Sequence, residues 1–178
     1  MKTEILLSIG VFAASAVAQT VLNSGSGFGT LYYDVEDTDG CQFNFTFQNK
    51  GFVECNFLTS LSLDQMNTNY VVAMNHTLLA GDLAKYCGKK VIVTRNGIQS
   101  NLPLFIGDGC ERCGSGLSTN TIWNPSGAPG LDFSYTVAQE LDNNACFNGH
   151  FDVTWEIVNE TLYNFDTNAP GQPTGPIN

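Results

Sequence analysis

Apolar residues along this chain fall into short runs broken by Gly, Asn, Asp and Pro, a rhythm of strands rather than of long helices. Gln19–Gly29 is a Gly/Ser-rich lead-in, and Thr30–Val35 is β-prone until the polar stretch Glu36–Gly40 breaks it. Phe43, Phe45 and Phe47 alternate with polar residues at the period of a half-buried strand. Val71–Met74 is continuously apolar and predicts a buried strand. Leu78–Tyr86 predicts one short helix leading into Cys87-Gly88. Val91–Thr94 and Leu102–Ile106 flank Asn96-Gly97, a strong hairpin signal, with Pro103 near the start of the second arm. Phe133–Leu141 is the best helix candidate, because Phe133, Val137 and Leu141 stand four apart. Val153–Val158 is the last clear strand. Many short strands with two short helices and no internal repeat predict a mainly β fold, a small barrel with Greek-key-like crossings.

The two ends are set apart from this pattern. Lys2 precedes the apolar run Ile5–Ala14, and Ala16-Val17-Ala18 supplies small residues for cleavage, so residues 1–18 are a secretory signal peptide. The domain is expected over 19–163. Residues 164–178, rich in Pro, Gly and Asn, are expected to form a disordered tail.

Composition narrows the partners. Seven Lys+Arg against seventeen Asp+Glu give a net charge of −10. That leaves no basic patch for nucleic acid or an anionic membrane, argues against anionic polymers, and leaves neutral polymers open. The six cysteines are Cys41, Cys55, Cys87, Cys110, Cys113 and Cys146. An even count behind a secretory leader predicts three disulfides of open connectivity in an extracellular protein. A zinc site needs four convergent ligands, and only His76 and His150 are available besides cysteine, so neither metal nor cofactor is expected. Three N-x-S/T sequons, at Asn44, Asn75 and Asn159, are candidate glycan sites.

The candidate chemistry lies in Gly107–Gly114, which reads G-D-G-C-E-R-C-G, and in Leu131–Ser134 beyond the Gly/Ser/Pro-rich insert Ser115–Gly130. Asp132 suits the N-cap of the Phe133–Leu141 helix as well as it suits catalysis. Asp108 suits a turn before Gly109. Tyr32 and Tyr33 are either sugar-stacking rings or core β-formers. Trp155 reads as core, whereas Trp123, inside the insert, is expected to be exposed and open to a sugar. No Ser-His-Asp triad is recognisable.

Seven motifs, in order, resemble those of fungal expansin-like proteins: Gly27–Val35 with its T-x-Y-Y-D-V ending, Cys41, Val71–Asn75, Tyr86–Val91, Phe105–Gly114, Leu131–Ser134 and Val153–Trp155. The resemblance spans Gly27 to Val158. It implies the double-psi β-barrel group, which holds expansins, loosenins, the rare lipoprotein A domain, barwin-like proteins and glycoside hydrolase family 45. The fold implied is a six-stranded double-psi β-barrel with short helices, loop inserts and an open groove. On this resemblance the chain is more like a loosenin or a barwin-like protein than a two-domain expansin.

From the same resemblance, Asp132 is the groove carboxylate, the general acid in the related hydrolases, beside Asp108; Asp34 matches the position of their catalytic base. Thr30, Tyr32, Tyr33, Asp108 and Trp123 are implied substrate contacts. There are departures: the usual glycine after the first cysteine is Gln42, and Cys55 and Cys146 lie outside the common pattern, which implies that they pair. The expected function is non-hydrolytic loosening of cell-wall polysaccharide, glucan or chitin, by a secreted monomer. The alternatives are an inverting endoglucanase using Asp132 and Asp34, and a barwin-like effector or protease inhibitor acting through its loops.

Overall fold

The computed structural model describes residues 19–55, 61–114 and 122–165. The expected signal peptide, part of the insert and the tail from residue 166 onward lie outside the described residues. In chain order the elements are β1 (Val21–Tyr33), α1 (Leu63–Met66), β2 (Val71–Asn75), α2 (His76–Gly81), α3 (Leu83–Tyr86), β3 (Lys89–Arg95), β4 (Ile98–Gln99), β5 (Phe105–Cys110), β6 (Gly130–Ser134), α4 (Tyr135–Leu141), α5 (Ala145–Asn148) and β7 (Phe151–Thr161). The strands run in the order β4-β3-β5-β2-β6-β1-β7, and β3 also pairs with β7. Six strands therefore close into a ring, with β4 folded back on β3. The pairs β1/β6 and β2/β5 are parallel, and the remaining pairings are antiparallel. Inside lies one core that includes Tyr33, Val71, Val93, Phe105, Leu131, Phe133 and Ile157. The fold is mainly β, as the pattern predicts.

Several elements differ from the expectation, each for a physical reason. The Gly/Ser-rich lead-in is most of β1, paired to β7 from Val21 to Gly29. Its glycines serve close approach: the Trp155 indole lies where a side chain on Gly25 would stand, and a side chain on Gly27 would meet the Pro129 carbonyl. Residues 43–47 form turns, not a strand. Only Phe45 points inward, stacking near Tyr135, while Phe43 and Phe47 face solvent. This loop begins with two successive left-handed residues, Cys41 (φ 59°) and Gln42 (φ 61°), a conformation glycine adopts without cost.

The Leu78–Tyr86 helix is two helices, because Asp82 is extended (φ −160°) and caps α3 by accepting the Lys85 N–H at 3.1 Å. Asn96-Gly97 makes the expected turn, with φ 50° and 78°, but its return arm is only Ile98–Gln99. Phe105 onward instead runs parallel to β2. Phe133 lies in β6, and α4 begins after Ser134, whose hydroxyl accepts the Val137 N–H at 3.2 Å. Phe165, placed in the tail by composition, is buried against Phe105 and Tyr163.

All six cysteines are bridged, as Cys41–Cys146, Cys55–Cys87 and Cys110–Cys113. The implied Cys55–Cys146 bridge is corrected. The Cys55 N–H bonds the Gly107 carbonyl at 3.0 Å, which seats Cys55 against β5 and within reach of Cys87 after α3. Cys146, on α5, meets the turn after β1 instead. Three disulfides are the usage of an oxidising compartment. Among the described residues no helix is long and apolar enough to cross a membrane.

Candidate functional site

Strand register places the central residues. Thr30 of β1 stands beside Asp132 of β6, Asp132 beside Ala73 of β2, and Ala73 beside Asp108 of β5. Asp108, Ala73, Asp132 and Thr30 thus form one row across four strands. A register shift between Val72 and Ala73 brings Asp108, rather than Gly107, into the row. Ala73 keeps the floor low between the two acids. Tyr32, two residues beyond Thr30, packs over Ala73, Cys110 and Cys113. Its hydroxyl donates to Asp108 Oδ2 at 3.3 Å.

Asp132 is a strand residue, not a helix cap; Ser134 takes the capping role. Its side chain is 16% exposed and faces Arg112, which is equally covered, with Nη2 2.6 Å from Oδ1. The Thr30 hydroxyl also donates to Oδ1, and the same Arg112 Nη2 lies 3.0 Å from the Thr30 hydroxyl. Arg112 Nη1 donates to the Ala128 carbonyl at 3.2 Å, tying the end of the insert to the site. Asp132 is thus arranged as an acceptor, with a guanidinium and a hydroxyl both donating to one oxygen. The charged group that Asp132 contacts directly is Arg112.

Asp108 is held differently. Its Oδ1 accepts the Glu54 and Gly109 N–H groups, both at 2.9 Å. Burial pushes its carboxyl above the ordinary range, against the pull of those hydrogen bonds. Glu54 also reaches His76 Nδ1 at 2.9 Å, and Glu111 stands 3.6 Å from its Nε2. The hydrogen bond that His76 gives to Glu54, then the charge of Glu54, raises the His76 pKa.

Two predicted site residues are structural. Tyr33 is fully buried; its hydroxyl donates to the Thr68 carbonyl at 3.1 Å and accepts the Val71 N–H at 3.0 Å. Asp34 is also fully buried. Its Oδ1 accepts from the N–H of Glu36 and of Asp37 and from the Asn69 amide, and its Oδ2 accepts the Thr136 N–H at 2.7 Å. Such a carboxylate is closed to solvent and occupied by four structural hydrogen bonds.

Trp123 is half-buried rather than free-standing. It stacks on His150 with centroids 4.4 Å apart and planes 7° apart, Arg112 lies 5.0 Å from its ring centre, and Phe28 meets both rings edge-on. Sequence reasoning missed Arg112, His150 and Phe28. Arg112 had a signal: it is one of seven cations in an acid-rich chain and sits inside the C-x-x-C motif. The sulfurs of Cys110 and Cys113 lie within 4.8 Å of the Asp132 carboxylate. Both are committed to one bridge, which leaves no thiolate for a metal. Of the sequons, Asn44 and Asn159 are exposed, whereas Asn75 is half-buried and accepts the Leu78 N–H at 3.2 Å, capping α2.

No protein-family model matches the chain, and no curated protein matches it. Among solved structures it is similar to Streptomyces papain inhibitor (SPI), at 17% identity and a TM-score of 0.44, over 79% of this chain and 99% of that one.

Proposed function

We propose that this is a secreted, expansin-like, double-psi β-barrel protein that binds neutral cell-wall polysaccharide along the Asp108–Thr30 row and loosens its packing without hydrolysis. One observation carries the reading: Asp132 is partly open to solvent and locked to Arg112 and Thr30, while the carboxylate that would be its hydrolytic partner, Asp34, is sealed in the core. Inverting hydrolysis needs two carboxyl groups roughly 6.5–9.5 Å apart with a water between them, one of them protonated. Asp34 has no room for that water. What remains suits binding. Asp132, Arg112 and Thr30 offer charged and neutral hydrogen-bonding groups to sugar hydroxyls, and Tyr32 and Trp123 add aromatic surface beside them.

The test is a pull-down and product assay on cellulose, xyloglucan, chitin and peptidoglycan. Binding to at least one neutral polymer is expected, with no soluble sugar released and with binding weakened at least tenfold in Asp132→Asn. Sugar release by the wild type that is lost in Asp132→Asn would replace this reading with the hydrolase. Failure to bind any of the four polymers would leave the loops, not the row, as the working surface.

A further inference from the structure

Among the described residues four phenylalanines are exposed, and they fall on two neighbouring segments. Phe43, Phe47 and Phe52 are 57%, 88% and 67% exposed on the loop after Cys41, and Phe147 is 92% exposed beside Cys146. The Cys41–Cys146 bridge, with its Cα atoms 5.5 Å apart, joins the segments. The exposed polar residues among these rings are uncharged apart from Lys50, which lies between Phe47 and Phe52: Gln42, Asn44, Thr46 and Gln48 on one side, and Asn144 and Asn148 on the other. An apolar surface of this kind needs a cover in a soluble protein.

The loop carries its own candidate cover. Asn44-Phe45-Thr46 is a sequon set between the exposed rings of Phe43 and Phe47. Asn44 stands at the turn, exposed, with Oδ1 accepting the Thr46 N–H at 3.0 Å. Its Nδ2, the atom that would bear a sugar, has no bonding partner among the described residues. The ring next to it, Phe43, rests on buried Phe45, with centroids 6.1 Å apart, and so is held with part of its surface open. A pyranose ring presents a face of C–H groups that suits an aromatic face, and its hydroxyls suit amide side chains. The other sequons lack this setting. The Asn75 side chain caps α2 and lies against Gly114. Asn159 lies on β7 with no exposed aromatic residue next to it in the chain.

We propose that Asn44 carries an N-linked glycan whose inner sugars lie on Phe43 and shield the phenylalanine surface beside the Cys41–Cys146 bridge. The glycan is a fixed ligand of that loop, separate from any polysaccharide held at the Asp132 row. The proposal rests on the secretory reading of the leader.

The experiment expresses the full chain, with its own leader, in a eukaryotic secretory host, beside Asn44→Gln, Thr46→Ala and a Phe43→Ser/Phe47→Ser pair. Peptide mapping after enzymatic release of N-glycans should convert Asn44 to Asp. Release should lengthen retention on a hydrophobic-interaction column and lower the melting temperature by a few degrees. Asn44→Gln and Thr46→Ala, which abolish the sequon at different residues, should both behave like the released protein. In the double-serine chain, release should change neither quantity. Secretion with a bare Asn44 sinks the proposal alone, and failure of the chain to leave the cell sinks it together with the secretory reading. Glycan release that alters neither retention nor melting shows that the sugar does not cover the rings, and overturns it too.

Discussion

Asp34→Asn separates the structural role of that residue from the catalytic one. In the wild type, Oδ1 takes three donors, the N–H of Glu36, the N–H of Asp37 and the Asn69 amide, and Oδ2 takes the Thr136 N–H. Asparagine keeps one oxygen. In its better orientation the three bonds on Oδ1 survive, and an NH2 group faces the Thr136 N–H, donor against donor. The flipped orientation is worse, because the NH2 then meets three donors. The lost bond to a charged acceptor is worth about 1.5–3 kcal/mol, and a buried unsatisfied donor costs about 1–3 kcal/mol more. A loss of about 2.5–6 kcal/mol is therefore expected, a large part of the roughly 5–15 kcal/mol that stabilises a typical domain. Asp34→Ala orphans all four donors and should fail to fold. Guanidinium unfolding, followed through Trp123 and Trp155 fluorescence and extrapolated linearly, reads the difference. A catalytic base would behave oppositely, with stability kept and activity gone. An Asp34→Asn protein within about 1 kcal/mol of wild type would refute the structural role of this carboxylate.

Three further outcomes follow from particular contacts. Removing the Cys41–Cys146 bridge as a double alanine variant should cost about 4.7 kcal/mol from its long loop, against about 1.9 kcal/mol of loop entropy for Cys110–Cys113; the reverse ranking in guanidinium unfolding would refute the pairing. Asp108→Asn should be at least as stable as wild type at neutral pH. Burial raises the folded-state pKa of Asp108, so its charged form is a cost above that pKa, and the advantage of asparagine should fade as pH falls through it; a less stable variant at pH 7, with the gap closing in acid, would show the opposite sign. Phe165→Ala should lose about 3–5 kcal/mol, as a buried ring does; a loss below about 1 kcal/mol would return Phe165 to the tail.

What was legible in the sequence was what local pattern encodes. Val71–Met74, Val91–Thr94 and Val153–Val158 announce strands because their own apolar side chains fill the core. β1 was illegible over Val21–Gly29 because glycine and serine signal loops as readily as they signal close packing, and only the partners, Trp155 and Pro129, decide which. Tyr32 and Tyr33 show a similar limit. Alternation along a strand guarantees that one faces in and one faces out, but not which. The Asp132 ambiguity had a sharper cause: Asp and Ser both cap helices, and the two stand only two residues apart. The missing glycine at Gln42 was legible as a departure, and its left-handed φ shows where that departure is borne. Arg112 was hidden because the cysteines on either side of it drew the chemical reading.

The electrostatics of the row bear on what it can hold. The chain carries −10, yet the opening at Asp132 is a matched pair, one carboxylate and one guanidinium joined through the Thr30 hydroxyl. Arg112 is tied at four points, to Asp132, Thr30, the Ala128 carbonyl and the ring of Trp123, so leaving Asp132 would strand a carboxylate that is only 16% exposed. A pair held this firmly attracts neither a strong anion nor a strong cation, while its spare oxygen and N–H groups still bond hydroxyls. An anionic polymer would meet the field of the whole chain, and a protonated leaving group would have to draw its proton from an acid already answered by Arg112. On the proposed reading, a neutral polysaccharide escapes both objections. On that reading, the Asp132–Arg112 pair serves to grip and release sugar hydroxyls rather than to protonate a glycosidic oxygen.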